Sequence, residues 1–401
     1  MTPWLAIVGL GEDGPEALSP AARALIDGAE CLVGGARHLA MVPEDGRERL
    51  AWSRPLSDLV AAVEARRGRR VCVLATGDPM HYGIGVTLAR RIPISEITIV
   101  PAPSAFSLAC ARLGWSMADV ETLTLQGRPL ELLHPAIQPG ARLLLLSDNA
   151  ASPGQIAETL RARGYGKSPI TVLEHMGGPR ERRITGSAAD WNAADIADFN
   201  TVAVECIAGP DAPLLPRTAG LPDTAFRHDG QMTKREVRAM SLAALGPVPG
   251  QLLWDVGAGC GSVAIEWMRS QPRARACAIE RDKGRIALIA ANAAALGTPG
   301  LQIVEGEAPA ALDGLDAPDA VFVGGGLTGA GNVEACWRAL EPGGRLVANA
   351  VTVAGEQILA RWQDEIGGEM VRIAVSRAAP VGRYTGWRPL MPVTQLQAVK
   401  R

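Results

Sequence analysis

The segment LLWDVGAGCGSVAIEW, residues 252–267, most constrains the fold, because an apolar run leads directly into a glycine-rich turn and then into a helical pattern. Three glycines in five positions let the backbone turn sharply and let a ligand approach the amino terminus of the following helix. Such a turn is typical of the first strand-to-helix connection of a nucleotide-binding sheet. For a glycine turn taken alone, a tight connection without a ligand stays open as the alternative.

Short apolar runs recur along the 401-residue chain, and most are followed by stretches of helical period. Examples are WLAIVGL, RVCVLAT and TVAVECI in the first half, and ACAIERD and RLVANAV in the second. This alternation predicts α/β architecture with mostly parallel strands. The pattern lapses at GPDAPLLPR, where three prolines oppose both helix and strand. We therefore predict two modules, residues 1–208 and 218–401, joined by a linker at 209–217.

The composition excludes several classes of protein. Hydrophobic residues make up 47% of the chain, charged residues 20%, and the formal net charge is −2, as in soluble globular proteins and without the basic surplus of a nucleic-acid binder. No run approaches the roughly 20 apolar residues of a membrane span, and the opening lacks a cationic leader. The seven cysteines are scattered without a CxxC pair. These features predict a cytoplasmic protein with reduced thiols and without a bound metal, a nucleic-acid partner or a membrane anchor.

Features beyond the glycine turn favour a ligand that contains adenosine. The next predicted strand ends with Glu280, 19 positions after Gly261, where a carboxylate can accept hydrogen bonds from both ribose hydroxyls. The spacing GxGxG differs from the GxGxxG of nicotinamide dehydrogenases. No second domain with a set of residues typical of hydride transfer follows it in the sequence. The sequence therefore fits a nicotinamide dehydrogenase poorly. Asp255, two positions ahead of the turn, is either a buried structural acid or an organiser of the loop.

These pieces, in this order, resemble the Rossmann-like methyltransferases that use S-adenosylmethionine. The segments GLPDTAFRHDGQMTKREVRAMSLAAL and PDAVFVGGGL narrow the resemblance to the decarboxylating precorrin methyltransferases of cobalamin biosynthesis, over residues 218–401. A plain helix N-cap is the alternative for Thr233, which precedes KREV. The resemblance implies cofactor contacts from Thr233, Gly257, Ala258, Gly259, Cys260, Gly261, Glu280 and Ala308.

Three turns of the first half also follow predicted strands, within VGLGEDGPEAL, ATGDPMHYGIG and VPAPSAFSLACARLG. Each alone is more typical of a simple turn. Together they resemble the tetrapyrrole methyltransferases, a two-lobed α/β family in which S-adenosylmethionine binds in the cleft between the lobes. The opening GEDGP departs from that family's usual GPGDP and is similar to the branch that methylates C-5. The resemblance implies cofactor contacts from Pro15, Gly77, Asp78, Ser104, Ala105 and Met176.

The order of the two halves resembles the fused C-5,C-15 precorrin methyltransferases over the entire chain. This resemblance implies two S-adenosylmethionine sites and a homo-oligomer. It also implies a precorrin-6Y substrate, methylated at C-5 and C-15 with loss of the C-12 acetate carboxyl group to give precorrin-8X. Two alternatives remain open: transfer to another tetrapyrrole or small molecule, and a non-enzymatic module in which one pocket serves assembly. The sequence identifies no general acid or base.

If the substrate carries several carboxylates, we expect basic side chains that bind them, here called cationic anchors. For each basic side chain taken alone, a solvated position on the surface is the simpler interpretation. His81, inside GDPMHYG, is a candidate substrate contact, and Tyr384 a candidate proton donor. Gly324–Gly326 either leave room for a flat ring or form a tight turn. The candidate anchors are Arg180, Arg182, Arg183, Lys234, Arg235, Arg383 and Arg388.

Overall fold

The structure is a computed structural model that describes residues 3–52 and 55–401. These residues form two compact units. The first contains the residues up to Leu130 together with Pro139–Pro213, and the second contains Glu131–Gln138 and Leu214–Arg401.

The first lobe of the first unit is a parallel sheet with strand order β3-β2-β4-β1-β5. Alternate residues of β1 belong to different cores, since Leu5 and Ile7 pack on one face and Ala6 and Val8 on the other. Helices cover both faces, which is why these strands appear in the sequence as continuous apolar runs. The strands are β1 Leu5–Leu10, β2 Cys31–Gly34, β3 Glu48–Ala51, β4 Val71–Thr76 and β5 Ile97–Val100, and the helices are α1 Pro20–Asp27, α2 Ala36–Met41, α3 Leu56–Glu64 and α4 Ile84–Ala89.

The second lobe has a mixed sheet with strand order β6-β7-β10-β8-β9. Only the β6–β7 pair is parallel here, so the expectation of mostly parallel strands is wrong for this sheet. Residues 175–181 are too few for the crossover that a parallel β8–β9 pair needs, and they form a hairpin connection instead. The elements are α5 Ala105–Leu113, β6 Glu121–Thr124, β7 Arg142–Leu146, α6 Ser152–Ala162, β8 Pro169–Glu174, β9 Arg182–Ser187 and β10 Asn200–Glu205.

The second unit is a doubly wound sheet with strand order β13-β12-β11-β14-β15-β19-β16, parallel except for β19, which runs antiparallel to both neighbours. The order reverses between β11 and β14, the point where such sheets bind ligands. The strands are β11 Leu252–Val256, β12 Arg275–Glu280, β13 Gln302–Glu305, β14 Ala320–Val323, β15 Arg345–Ala350, β16 Glu369–Ile373 and β19 Val393–Val399, with a hairpin of β17 Ser376–Val381 and β18 Tyr384–Pro389. The helices are α7 Arg235–Leu245, α8 Ser262–Ser270, α9 Lys283–Leu296, α10 Asn332–Ala339 and α11 Val353–Ile366.

A short segment from the first half of the chain, Glu131–Gln138, belongs to the second unit. The Nε2 of Gln138 donates a hydrogen bond of 2.8 Å to the Leu215 carbonyl. Pro135 packs against the turn after α9 so closely that a Cβ at Gly297 would clash with the proline Cδ. The segment therefore packs into the carboxy-terminal unit, although the sequence pattern places it inside residues 1–208.

Within the described part of the chain, no helix combines the length and apolarity required to cross a bilayer. All seven cysteines are buried. Burial raises the pKa of Cys72 and Cys336 to about 12, so these thiols stay protonated at neutral pH.

Candidate active sites

The glycine turn of the second unit follows β11 at the point where the strand order reverses. Gly257, Gly259 and Gly261 have φ angles of 69°, 61° and 78°, in the left-handed region that favours glycine. Gly257 also lies against the loop after β14, since a Cβ there would be 2.5 Å from the Gly325 Cα. Both the turn geometry and this close approach explain why the sequence has glycines here.

Backbone hydrogen bonds tie this turn to the neighbouring strands. The N–H groups of Gly257 and Ala258 donate to the Ile279 carbonyl at 3.0 and 3.1 Å. The N–H groups of Gly324 and Gly325 donate to the Val256 carbonyl at 3.1 and 3.3 Å. These bonds pack the bend at Gly324 and Gly325 against the Gly257 loop. The close packing favours the turn interpretation of Gly324–Gly326 over an open space for a flat ring.

Glu280 lies at the end of β12, as the sequence predicts, and is buried. Its Oε2 accepts a hydrogen bond of 2.8 Å from the Gly259 N–H. Its Oε1 accepts from the N–H groups of Arg281 and Asp282, both at 3.0 Å. These donors fix the carboxylate beside the glycine turn. A carboxylate offers about four acceptor positions, so capacity remains for a ligand hydroxyl.

Asp255 is 1% exposed, and its Oδ2 accepts a hydrogen bond of 3.0 Å from the Ala264 N–H in the first turn of α8. Burial, with a smaller contribution from the charge of Glu280, raises the pKa of Asp255 to about 7. Asp255 therefore anchors the helix that follows the glycine turn. This contact combines the two roles that the sequence left open.

Residues 218–234, here called the strap, lead into α7. The N-cap of α7 is Lys234, so the interpretation of Thr233 as a plain N-cap is wrong. The Thr233 carbonyl instead accepts a hydrogen bond from the Arg238 guanidinium. The Gln231 carbonyl would lie 3.7 Å from a Cβ at Gly259, so the end of the strap approaches the glycine turn.

Two buried interactions that the sequence did not reveal hold the strap. The Nδ2 of Asn292 donates at 2.9 Å to the carbonyls of both Cys260 and Arg227, joining the glycine turn to the strap. The Glu266 carboxylate binds the Arg238 Nε at 2.6 Å. It also accepts from the N–H groups of Gly220 and Leu221, at 2.6 and 3.0 Å. Neither Asn292 nor Glu266 lies in a glycine motif, so no local signal marked them.

Ala308 follows β13 and is buried in the same apolar cluster as Val256 and Ile279, at the ends of β11 and β12. The Gly306 N–H donates to the Glu280 carbonyl at 3.0 Å and joins the loop after β13 to the same edge. The structure therefore brings the glycine turn, Glu280 and Ala308 to the carboxyl edge of one sheet, whereas the contact shown for Thr233 is with Arg238.

Three loops of the first unit converge after β1, β4 and β5. The Gly77 N–H donates to the Leu10 carbonyl at 3.1 Å, and the Ala102 N–H donates to the Gly77 carbonyl at 3.2 Å. Gly77 has a φ of 56°, and a Cβ there would lie 3.0 Å from the Pro103 carbonyl oxygen and 3.4 Å from the Ser104 Cα. The predicted residues Gly77 and Ser104 are thus adjacent in space.

The other predicted residues of this unit have local roles. The Ser104 Oγ accepts from the Ser107 N–H at 3.1 Å and caps α5, which begins at Ala105. An oxygen of Asp78 accepts from the Met80 N–H at 2.8 Å and closes the turn after β4. Met176 packs in the cluster that Ala105 borders.

Pro15 stands apart from this group. It begins a short 3₁₀ helix, and its carbonyl accepts a hydrogen bond of 2.7 Å from Arg23. Across residues 3–52 and 55–401, no hydrogen bond or core cluster joins it to Gly77 or Ser104.

An ionic cluster that the sequence did not predict joins the loops after β1 and β8. The Oε2 of Glu12 lies 2.9 Å from the Nδ1 of His175 and 4.0 Å from Arg180. Arg37 forms a salt bridge with the same carboxylate, and the Glu12 side chain is 7% exposed. The one signal in the sequence was the departure of GEDGP from GPGDP, which places an acid at position 12.

The candidate cationic anchors have different surroundings. Arg182 makes a two-pronged ion pair with Glu174, at 2.6 and 3.0 Å, and is therefore a structural group. Arg383 stacks on Tyr384 at the exposed tip of the β17–β18 hairpin. His81 packs against Phe106, with the ring centroids 4.6 Å apart.

Comparison with known proteins decides the family. Residues 5–191 match the family described as Tetrapyrrole (Corrin/Porphyrin) Methylases, and residues 224–400 match the Precorrin methyltransferase domain family. A Sinorhizobium protein named precorrin-6Y C(5,15)-methyltransferase [decarboxylating] is 48% identical over 98% of this chain and 96% of its own length. The chain belongs to the family of precorrin-6Y C(5,15)-methyltransferases.

Two relatives whose names give only one of the two methylations each match less than half of the chain. A Salmonella typhimurium cobalt-precorrin-7 C(5)-methyltransferase is 35% identical over 44% of this chain and 88% of its own length. A probable cobalt-precorrin-6B C(15)-methyltransferase (decarboxylating) from Pyrobaculum calidifontis is 36% identical over 44% of this chain and 93% of its own length. The tetrapyrrole methylase domain therefore precedes the Rossmann-like methyltransferase domain in one polypeptide, as the sequence predicts.

Membership of these methyltransferase families implies S-adenosylmethionine as the methyl donor. The second unit suits that group. Within 4 Å, a Cβ at Gly259 would meet only the Gln231 carbonyl, so the turn leaves space beside the fixed Glu280 carboxylate. An acceptor for hydroxyl groups beside a helix amino terminus matches the chemistry of an adenosine moiety.

Proposed function

We propose that this chain transfers two methyl groups from S-adenosylmethionine to precorrin-6Y, one at C-5 in the first unit and one at C-15 in the second. The C-12 acetate loses its carboxyl group as carbon dioxide, and the product is precorrin-8X. One observation carries the proposal. The chain has two unrelated sets of loops at the ends of strands, and each set lies within the residues that match a different methyltransferase family. We place the two catalytic modules at residues 1–208 and 218–401, with a linker at 209–217.

Two separate groups of residues hold the methyl donor in this proposal. Convergence of the loops after β1, β4 and β5 supports the first group, and the buried Glu280 beside the glycine turn supports the second. Pro15 has the weakest geometric support, because its contacts lie on its own loop. The first group is Pro15, Gly77, Asp78, Ser104, Ala105 and Met176, and the second is Thr233, Gly257, Ala258, Gly259, Cys260, Gly261, Glu280 and Ala308.

S-adenosylmethionine, when bound, supplies a methyl group on a positively charged sulfur that needs no further activation. The protein therefore has to align this group with a ring carbon and exclude water. At C-15, the neighbouring C-12 acetate can return electrons to the ring by losing carbon dioxide. This chemistry requires no acid in the loop after β14, where Gly324–Gly326 stand.

The test uses the full chain with labelled S-adenosylmethionine and precorrin-6Y. Mass spectrometry should count two added methyl groups and one lost carbon dioxide per substrate. Glu158→Gln, on the exposed surface of α6, serves as a control that should leave both counts unchanged. A single added methyl group, or methylation of a different tetrapyrrole or small molecule only, contradicts the proposal.

We also infer that the chain forms a homo-oligomer and works in the cytoplasm, where thiols such as its buried cysteines stay reduced. Exposed apolar side chains on and beside the β17–β18 hairpin support association, with Trp387 77% and Tyr384 67% exposed. Light scattering on the purified chain should give a mass above the 42.0 kDa of one chain. A mass of one chain at micromolar concentration contradicts the inference.

A further inference from the structure

We propose that His175 accepts the proton that leaves C-5 when the first unit methylates that carbon, and that Glu12 orients its imidazole. His175 is then a catalytic residue and Glu12 a positioning residue. The inference rests on the proposed methylation of C-5 and deepens it, because the sequence identified no general base.

The chemistry at C-5 requires a proton acceptor. A ring carbon that carries one hydrogen attacks the methyl group, the new C–C bond forms, the C–S bond breaks with its electron pair going to sulfur, and the ring loses an electron pair. At C-15, loss of carbon dioxide can return that pair. The proposed reaction releases a single carbon dioxide, from the C-12 acetate, so at C-5 the C–H bond breaks instead. Its electron pair returns to the ring, and the proton passes to a base.

The contact with Glu12 fixes the proton on the imidazole. The Nδ1 of His175 lies 2.9 Å from the Glu12 Oε2 and 3.5 Å from the Arg180 Nη2. The shorter contact is with the carboxylate, and an ionised carboxylate can only accept, so Nδ1 carries the hydrogen. Nε2 then presents its lone pair. Among the described residues, no hydrogen bond occupies that nitrogen. A carboxylate that orients a histidine in this way is a recurrent arrangement for general bases.

The position of the pair matches a role in the cleft between the two lobes of the first unit. Glu12 follows β1 in the first sheet, and His175 follows β8 in the second, directly before Met176. A Cβ at Gly178 would lie 2.7 Å from the Glu12 Cβ, so the two loops touch. His175 has a φ of 47°, a strained conformation for a residue other than glycine and one that is concentrated at functional sites.

The charges around the imidazole favour its neutral form at neutral pH. Burial and then Arg180 lower the pKa of His175 below the ordinary value of 6.5, Arg37 and Arg182 act in the same direction, and Glu174 opposes them. Arg37 also forms the salt bridge with Glu12. A neutral imidazole can accept a proton at pH 7.

Other groups hold Arg37 in place. Its Nη2 lies 3.1 Å from the Nε2 of His38 and donates to the Thr76 Oγ1 at 3.2 Å. Its guanidinium stacks on the Phe199 ring at 4.3 Å. Burial lowers the pKa of His38 to about 4, so His38 stays neutral and accepts from Arg37. The first lobe thus supplies Glu12 and its cation, and the second lobe supplies the base.

The first experiment needs no turnover. Long-range proton–nitrogen NMR on the full chain with ¹⁵N-labelled histidine, assigned with His175→Gln, should show Nδ1 protonated and Nε2 unprotonated at pH 7.5. Glu12→Gln should convert this signal to a mixture of tautomers. A protonated Nε2 in the wild-type chain overturns the proposal.

The second experiment measures the two methylations separately. His175→Gln should reduce C-5 methylation by about 100-fold or more, the usual effect of losing a general base, while C-15 methylation and carbon dioxide release stay unchanged. Glu12→Gln should reduce C-5 methylation about tenfold and shift its pH profile, and Glu158→Gln should change neither. Added imidazole should restore part of the C-5 methylation of His175→Ala.

These outcomes separate the two proposals. Undiminished C-5 methylation by His175→Gln, or loss of S-adenosylmethionine binding in that variant by calorimetry, overturns the role of His175. Absence of any C-5 methylation by the wild-type chain overturns the proposed function instead.

Discussion

Asp255 shows how a single buried acid can oppose the stability of the site that it organises. Its pKa in the folded chain, about 7, lies above the ordinary value of 3.8. Between pH 3.8 and 7, Asp255 therefore stays protonated in the folded chain and is ionised in the unfolded chain. The stability that this group contributes is complete below about pH 3.8 and is lost as the pH rises to 7.

Asp255→Asn should stabilise the second unit at alkaline pH. The amide keeps an oxygen that can accept from the Ala264 N–H but never ionises, so the gain over wild type should be close to zero near pH 4 and reach the order of 4 kcal/mol at pH 8. Hydrogen exchange of peptides from residues 252–267, measured across this pH range, checks the result. A gain that does not depend on pH contradicts the assignment of the raised pKa.

Glu280→Ala should weaken S-adenosylmethionine binding in the second unit by about 1–3 kcal/mol and affect one of the two methylations. The variant removes the acceptor for the Gly259 N–H as well as the proposed ligand contact. Calorimetry on the full chain should show one weakened and one unchanged binding event. Loss of both methylations would contradict independent sites.

At the residue scale, the sequence predicted those site residues whose location depends only on nearby residues of the chain. Gly257 could be placed because it directly follows β11, and Glu280 because it ends β12 at a characteristic spacing from the glycine turn. The Glu12–His175 contact could not, because 163 positions separate the two residues and only the packing of two lobes brings them together. Thr233 was misjudged as a possible N-cap because α7 begins one residue later than the pattern indicated.

At the scale of elements, the strap depends on a buried ion pair. Arg238 and Glu266 are 0% and 1% exposed, and together they bind the carbonyls of Leu221 and Thr233 and the N–H groups of Gly220 and Leu221. A buried pair is worth little by itself, but removing one partner leaves an uncompensated charge. The strap therefore relies on both partners.

Glu266→Gln should destabilise the second unit by about 3 kcal/mol, because the buried Arg238 loses its nearer counter-charge and keeps Asp223 at 3.4 Å. Hydrogen exchange should rise first in residues 218–234. The control is Glu334→Gln, which breaks an exposed pair with Arg338 and should cost about 0.5 kcal/mol or less. Equal effects of the two variants would contradict the role of the buried pair.

The sequence predicted most strands and helices but not all of their directions. Alternating apolar runs and helical stretches gave the parallel sheet around β1 and the doubly wound sheet around β11. The same pattern predicted the wrong strand direction in the second lobe, where β8 pairs antiparallel with both β9 and β10. Runs buried on both faces look alike in either direction, and the direction depends on connection length, which the apolar pattern does not report.

At the scale of the whole molecule, the proposal of two independent sites predicts binding stoichiometry. The intact chain should bind two equivalents of S-adenosylmethionine by calorimetry, and Glu280→Ala should leave one equivalent bound at its original affinity. The physical reason is that the two candidate sites share no residue and lie in separate units. One equivalent per wild-type chain would contradict the proposal.

The segment Glu131–Gln138 has a consequence for anyone who dissects this polypeptide. A truncation at residues 209–217 leaves these eight residues on the amino-terminal fragment, although Pro135 covers the turn at Gly297 in the second unit. The released carboxy-terminal fragment then exposes the surface that Pro135 covered, and low solubility would imitate a catalytic defect. Grafting the segment onto the fragment through a flexible tether should restore a well-behaved preparation.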